Sequence, residues 1–230
     1  MSIRRLVLVR HAESLRNVAK RGHLFFPNEE ARDFAGNVGD HKIPITNEGR
    51  RQARETGAAL RERFGNFHHL YHSGALRTIQ TADEILAAFS TPPVVSSNIF
   101  LRERDAGHAY NMTNAEAGAA FPWLKDYWAV TGPFYASPPG GESVAKVCER
   151  IHLFLNTLDN GPFDTDALVI THGITLRAIR SILEGWGDDV DERFTASVPD
   201  NCAVTSYARD KAGRLSLVAA NEIFWTPETA

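Results

Sequence analysis

Two short apolar runs stand out because they do not alternate. Leu6-Val7-Leu8-Val9 and Ala167-Leu168-Val169-Ile170 are apolar on both faces. That is the pattern of central parallel strands covered from both sides. Weaker strand patterns occur at Phe67 to His72 and at Val94-Val95. Two later ones, Asn201 to Ala208 and Leu215 to Ala219, are joined by a turn around Lys211-Ala212-Gly213.

Helical periodicity fills the gaps between them. Thr46 reads as an N-cap, with Glu48 in the first turn, for a helix reaching Phe64, and Ala53, Gly57, Leu60 and Phe64 repeat at helical spacing. A second helix is predicted from Leu76 to Phe89, with Ile79, Ala82, Ile85, Leu86 and Phe89 on one side. A third follows Gly140-Gly141-Glu142-Ser143 and carries Val144, Val147, Cys148, Ile151, Leu155 and Leu158. A fourth follows Gly173, with Ile174, Ala178, Ile179, Ile182 and Leu183 inward. Strands alternating with helices predict an α/β fold around a mostly parallel sheet. Two segments break the pattern, Lys20 to Pro44 and the proline-punctuated Arg104 to Pro139. Irregular stretches of this length in compact domains are often functional loops. The expectation is one domain over 1–230, with irregular insertions near 20–44 and 104–139.

Composition narrows the function classes. The chain has 230 residues, 25 basic against 28 acidic, for a net charge of −3. At about 150 residues per domain as a soft prior, one large domain is expected. The slight acidity gives no general attraction to nucleic acid or to an anionic membrane, so neither is expected as a partner. Any anionic ligand has to be held by a local cluster of cations. Two cysteines cannot form a disulfide framework, which points to a reducing compartment. The apolar run of the N-terminus stops at Arg10-His11, too soon for a secretory signal of about 7–15 apolar residues. No stretch approaches the roughly 20 apolar residues of a membrane span. A cytoplasmic protein is expected, and no oligomeric state is assigned.

The candidate chemistry lies at strand ends. Arg10-His11 directly follows the first buried run, and Thr171-His172-Gly173 directly follows the other. Ligands of open α/β sheets bind at the carboxyl ends of strands, so both histidines arrive on the face where ligands sit. Arg77 falls in the first turn of a predicted helix, where a cation opposes the helix dipole unless an anion is bound beside it. Arginine meets phosphate in bidentate fashion.

These residues carry a resemblance. Arg10-His11-Ala12-Glu13-Ser14 with Asn17 resembles the Arg-His-Gly motif of the histidine phosphatase superfamily, which includes cofactor-dependent phosphoglycerate mutases and broad-specificity phosphatases. Ser73-Gly74-Ala75-Leu76-Arg77-Thr78-Ile79-Gln80-Thr81 resembles its Ser-x-x-x-Arg-x-x-Gln-Thr stretch. Leu101-Arg102-Glu103-Arg104 is similar to the segment bearing its catalytic acid, Pro139 to Ser143 to the turn before a core helix, and Thr171-His172-Gly173 with Arg177 to its second-histidine motif. Ile43-Pro44-Ile45-Thr46-Asn47-Glu48-Gly49 is similar to its Pro-Leu-Thr-x-x-Gly helix start. The resemblance spans about residues 3 to 208.

The resemblance implies a phosphoglycerate mutase-like three-layer α/β/α sandwich and a metal-independent phosphatase with no cofactor. By it, His11 is the nucleophile and becomes a phosphohistidine. Arg10, Asn17, Arg77, His172 and Gly173 hold the phosphoryl group, with a protonated His172 suited to the task. Glu103 is the general acid and then the base that activates water, with Asp105 as reserve. The substrate is a small phosphorylated molecule. Ala12 replaces the commoner glycine, and Asp105-Ala106-Gly107 stands where the mutase pattern has a His-Tyr-Gly-type sequence. The second departure favours a phosphatase over the alternative, a cofactor-dependent phosphoglycerate mutase-like transferase or isomerase. A non-catalytic phospho-ligand module is a third reading, weakened by retention of both histidines, both arginines and a candidate acid. A zinc hydrolase is a fourth, but Thr171-His172-Gly173 brings no carboxylate or cysteine.

Overall fold

A computed structural model describes residues 3–20, 22–36, 38–160 and 164–227. Arg21 and Asn37 of the first irregular segment, and Met1-Ser2 of the N-terminal reading, lie outside the described residues. The strands are β1 (Ile3–Arg10), β2 (His69–His72), β3 (Val94–Ser97), β4 (Thr165–Thr171), β5 (Val204–Arg209) and β6 (Leu215–Glu222). They form one six-stranded sheet in the order β3-β2-β4-β1-β5-β6. The β3-β2, β2-β4 and β4-β1 pairings are parallel, and β5 and β6 add an antiparallel side.

The helices are α1 (Leu15–Lys20), α2 (Glu29–Ala35), α3 (Asn47–Phe64), α4 (Leu76–Leu86), α5 (Asn114–Ala120), α6 (Leu124–Thr131), α7 (Val144–Asp159), α8 (Gly173–Glu184) and α9 (Val190–Ala196). The non-alternating runs explain the layering. Leu6 and Leu8 pack with Val147, Ile151 and Phe154 of α7 and Ile179 of α8, while Val7 and Val9 pack with Ala53 and Leu60 of α3 and Ile85 of α4. Successive strand residues point to opposite faces, so an apolar residue at every position buries against helices on both sides. Each fully buried aliphatic side chain contributes about 1.5–3 kcal/mol relative to an exposed one. The fold is the expected three-layer α/β/α arrangement around a mostly parallel sheet.

Capping chemistry fixes the helix starts. Thr46 accepts from the Gly49 amide at the start of α3, and Ser143 accepts from the Lys146 amide at the start of α7. Gly49 is required by close approach. A Cβ there would lie 2.2 Å from the Glu13 carbonyl oxygen, so α3 presses directly on the loop that follows β1. Gly57 does the same lower down, where a Cβ would come within 2.6 Å of the Ile85 carbonyl oxygen.

Several boundaries differ from the periodicity. The second predicted helix ends at Leu86 rather than Phe89, although Phe89 stays buried beyond its end. Before β5, Asn201 and Cys202 form a turn, with Cys202 at φ 54°. Both irregular segments contain short helices: α2 in the first, α5 and α6 in the second. Helices of seven or eight residues show too few turns for a readable period, and the flanking prolines mask them. The two segments are also stitched together. The Phe26 amide donates to the Met112 carbonyl, the Asn114 amide donates to the Phe26 carbonyl, and Arg32 pairs with Glu116 at 2.8 Å.

Candidate active site

The register of β1 on β4 sets the centre of the site. Arg10 stands opposite Thr171, so His11 and His172 follow side by side, and the His11 amide donates to the Thr171 carbonyl at 2.8 Å. The two imidazole centroids are 5.2 Å apart. His11, Arg77 and His172 are 4, 4 and 0 % exposed, so their polar atoms depend on one another rather than on bulk water.

His11 is held as a neutral base. Its Nδ1 lies 2.7 Å from the Ala12 carbonyl oxygen. A carbonyl can only accept, so Nδ1 carries the proton and Nε2 keeps a free lone pair. Burial, then the Arg77 and Arg10 guanidinium groups, hold the His11 pKa well below the ordinary imidazole value. The backbone after it is tied to α4, because the Ala12 amide donates to Thr81 Oγ1, which donates to the Arg77 carbonyl.

His172 departs from the expectation of a protonated ring. Arg77 Nε donates to His172 Nδ1 at 3.2 Å. An arginine nitrogen cannot accept, so Nδ1 bears a lone pair and the ring is neutral with its proton on Nε2. That Nε2–H donates to Ser73 Oγ at 2.8 Å. Burial and the nearby Arg77 likewise keep the His172 pKa well below its ordinary value. Ser73 passes the order on, because Thr78 Oγ1 lies 2.9 Å from Ser73 Oγ and donates its own proton to the Ala75 carbonyl.

The expected phosphate ligands surround this pair. Arg10 donates one terminal NH to the Pro199 carbonyl at 2.6 Å. Among the described residues its buried Nε–H has no partner; such a donor is costly unless an acceptor arrives. Arg77 is engaged by Asp40, with Nη1 donating to its carbonyl at 2.6 Å and Nη2 to its carboxylate at 2.7 Å. Asn17 Oδ1 accepts from the Ser14 amide, the Ser14 hydroxyl and Asn201 Nδ2. With the acceptor end committed, the Asn17 NH₂ is the end available to an anion. Gly173 opens α8 behind Arg10, and a Cβ there would lie 3.6 Å from Arg10 Nε. Gly173 lines neither cavity of the site; it stands as the first residue of α8.

Glu103 is not taken up by an ion pair with its neighbours. Its Oε1 accepts from the Arg104 amide at 2.9 Å and its Oε2 from the Ile174 amide at 3.4 Å. Arg102 pairs instead with Glu142. The Glu103 segment is clamped from behind by Arg150, which donates to the carbonyls of Phe100, Arg102 and Glu103 and to the Glu142 carboxylate. Arg10, His11, Asn17, Arg77 and Glu103 share the wall of a cavity of about 680 Å³. His172 lines an adjoining cavity of about 820 Å³ that also includes Glu103 and Asp40.

Sequence reasoning therefore placed Arg10, His11, Asn17, Arg77, Glu103 and His172 together, and missed Asp40, Ser73, Arg150 and Asn201. Arg150 left a signal, a lone cation between Val147 and Ile151 on the apolar side of its helix. Ser73 stood in a quoted motif without a role. Asp40 left none, since it is one polar residue among many in the first irregular segment.

The family model described as histidine phosphatase superfamily (branch 1) matches residues 6–222. The chain belongs to the histidine phosphatase superfamily. A phosphoglycerate mutase-like protein, AT74H, of Arabidopsis thaliana is 29% identical over 205 residues, covering 80% of this chain and 66% of that protein. The chain thus spans just under two thirds of that relative's length. A 2,3-bisphosphoglycerate-dependent phosphoglycerate mutase of Methylocella silvestris is 31% identical over 188 residues, covering 79% of this chain and 82% of that one. Among solved structures, a mycobacterial glucosyl-3-phosphoglycerate phosphatase complexed with VO₃ superposes with a TM-score of 0.72 at 22% identity, over 95% of this chain and 99% of that one. The α-ribazole phosphatase of Shigella flexneri superposes with a TM-score of 0.73 at 20% identity, over 98% and 100%. At these identities the likeness concerns the fold. No described helix of this superfamily member is long and apolar enough to cross a membrane.

Proposed function

We propose that this protein is a metal-independent phosphomonoesterase that works through a phosphohistidine on His11. The observation that carries the reading is the neutral His11 ring, anchored through Nδ1 with Nε2 free, beside the orphaned Nε–H of Arg10. In the first step the phosphoryl oxygens meet Arg10, Arg77, the Asn17 amide and the start of α8. His11 Nε2 attacks phosphorus, the ester P–O bond breaks, and Glu103 gives its proton to the leaving oxygen. In the second step Glu103 takes a proton from water, the hydroxide oxygen bonds to phosphorus, and the P–N bond breaks. Charge in such transfers is spread over the equatorial oxygens, so positioned cations and donors supply much of the rate. Covalent catalysis divides one difficult displacement into two easier ones. The substrate is taken to be a small phosphorylated molecule met in the cytoplasm.

Hydrolysis of an aryl phosphate in excess chelator, by wild type and by His11→Ala, tests this. Activity retained in chelator and abolished by His11→Ala is expected. Activity lost with chelator, or undiminished in His11→Ala, contradicts it. Similarity to 2,3-bisphosphoglycerate-dependent mutases favours a second reading, mutase-like transfer from the same histidine. A mutase must shield its phosphohistidine from water, whereas a phosphatase must admit water. Conversion of 3-phosphoglycerate primed with bisphosphoglycerate separates the two.

A further inference from the structure

A cavity away from the two histidines has no part in the chemistry above. It holds about 320 Å³ between α8, α9 and the end of β6. That is the lower end of the ~300–1,000 Å³ usual for small-molecule pockets.

Part of its wall serves the fold and part does not. Glu184 is saturated. Its Oε1 accepts from Arg180 Nε at 2.8 Å and from the Tyr207 hydroxyl at 2.7 Å, and its Oε2 from Arg180 Nη2 at 3.2 Å and the Trp186 indole NH at 3.0 Å. This network closes the end of α8 and fixes the Arg180 guanidinium, whose Nη1 stays outside the pairing. Neither Arg193 nor Ser197 belongs to it. Arg193 lies 3.9 Å from the Asp189 carboxylate, with both side chains more than half exposed, and a pair of that kind contributes little. Among the described residues, the buried Ser197 Oγ has no hydrogen-bond partner. A hydroxyl in that state is unfavourable until a polar group meets it.

Two guanidinium groups against one carboxylate leave the wall with one net positive charge. Trp186, Ala196 and Val198 add apolar surface. The complement is a single negative charge on a small apolar body.

The place of the cavity links it to catalysis. Val198 lines both this cavity and the one that holds His11. The next residue, Pro199, accepts from Arg10 through its carbonyl, and Asn201 Nδ2 donates to the His11 carbonyl at 3.0 Å and to Asn17 Oδ1 at 3.2 Å. Asn221, also in the cavity wall, holds Asp200 between them: it accepts from the Asp200 amide and donates to the Asp200 carboxylate, each at 2.8 Å. The segment 197–201 therefore has this cavity on one side and Arg10, His11 and Asn17 on the other. A ligand against Ser197, Val198 and Asn221 favours the arrangement of the segment in which Arg10 is held.

We propose that this cavity is an effector site for a small monocarboxylate with an apolar body, and that its occupation strengthens phosphate binding at His11. The carboxylate meets Arg193, Arg180 Nη1 and Ser197 Oγ, and the apolar body lies against Trp186 and Val198. Coupling between two sites is reciprocal, so phosphate strengthens carboxylate binding by the same factor. The inference rests on the phosphatase reading only in taking the His11 site as the place of phosphate.

Benzoate, phenylacetate and 3-phenylpropionate, each beside its uncharged amide, are the probes. The Trp186 indole NH resonance, assigned with Trp186→Phe, reads their arrival. The best carboxylate is expected to bind about tenfold or more tightly than its amide, and Arg193→Met should remove most of that preference. Ser197→Ala should weaken the carboxylate several-fold. At saturating carboxylate the dissociation constant of inorganic phosphate should fall about fivefold or more. In Ala196→Trp, which fills the cavity, it should not move. Equal binding of acid and amide, a preference unmoved by Arg193→Met, displacement of the carboxylate by phosphate, or an unchanged phosphate affinity overturns the effector site. Should the protein bind phosphate yet hydrolyse no ester, the phosphatase reading fails separately, and the same binding ratios still decide the site.

Discussion

Arg77 Nε donates to His172 Nδ1 across 3.2 Å, between two side chains that are both buried. That hydrogen bond keeps a lone pair on Nδ1 of the second histidine and leaves its proton on Nε2. It also turns the arginine so that its terminal nitrogens face Asp40 and the cavity.

Both site histidines should stay neutral at a pH where an ordinary imidazole is half protonated, about 6.5. The direction follows from burial and the neighbouring arginines, which lower both pKa values. Unfolded histidines take up protons near pH 6.5 and the folded ones do not. The stability these two contribute is thus fully present above that pH and declines as pH falls below it. Nitrogen NMR through a pH series, with His11→Ala and His172→Ala for assignment, reads the tautomers directly. His11 is expected to carry its proton on Nδ1 and His172 on Nε2. Titration of either ring near 6.5 contradicts the account.

Asp40 occupies two nitrogens of Arg77, and its carboxylate opposes an incoming anion. Asp40→Asn keeps an acceptor for Arg77 and removes the negative charge. Inorganic phosphate should then inhibit about 2–10-fold more tightly, the scale of one partly screened charge. Weaker inhibition in this variant would show that Asp40 chiefly orients Arg77.

Gly49 sits where α3 meets the loop after β1. A Cβ 2.2 Å from the Glu13 carbonyl oxygen forces the helix or that loop to move, and overpacking of this kind costs about 1–3 kcal/mol. Gly49→Ala should lower the melting temperature by about 2–12 °C and reduce activity as well, because His11 precedes the displaced loop. Unchanged melting and activity would mean that the contact is soft.

Much of this arrangement is legible in the sequence, for identifiable reasons. The runs Leu6–Val9 and Ala167–Ile170 can only be buried on both faces, and their register places Arg10-His11 against Thr171-His172. Caps such as Thr46 and Ser143 are local, so they show in sequence. What was hidden depends on long-range contacts. The neutral state of His172 is imposed by burial and by Arg77, and the commitment of Arg77 is imposed by Asp40 from an apparently patternless stretch. Arg150 fixes the Glu103 backbone from a helix 47 residues away in sequence. The helices α2, α5 and α6 are too short to carry a period and rely on tertiary contacts such as Arg32 with Glu116.

Among the described residues the Glu103 carboxylate accepts from the Arg104 and Ile174 amides alone, which leaves it facing the cavity where a leaving group would sit. Glu103→Gln should slow hydrolysis of an alkyl phosphate about 10²–10⁴-fold, the usual size of general acid catalysis. A nitrophenyl ester, whose leaving group needs no proton, should be much less affected. Equal losses on both substrates would move the acid role elsewhere, with Asp105 the next carboxylate to change.

In the proposed first step His11 Nε2 takes the phosphoryl group. Rapid quenching of turnover with a phosphorus-labelled ester, followed by peptide mapping under alkaline conditions, tests it most directly. An acid-labile, alkali-stable label on His11 at Nε2, absent from His11→Ala, is expected. A label that persists in His11→Ala, or turnover by wild type without any protein-bound phosphoryl group, would contradict it.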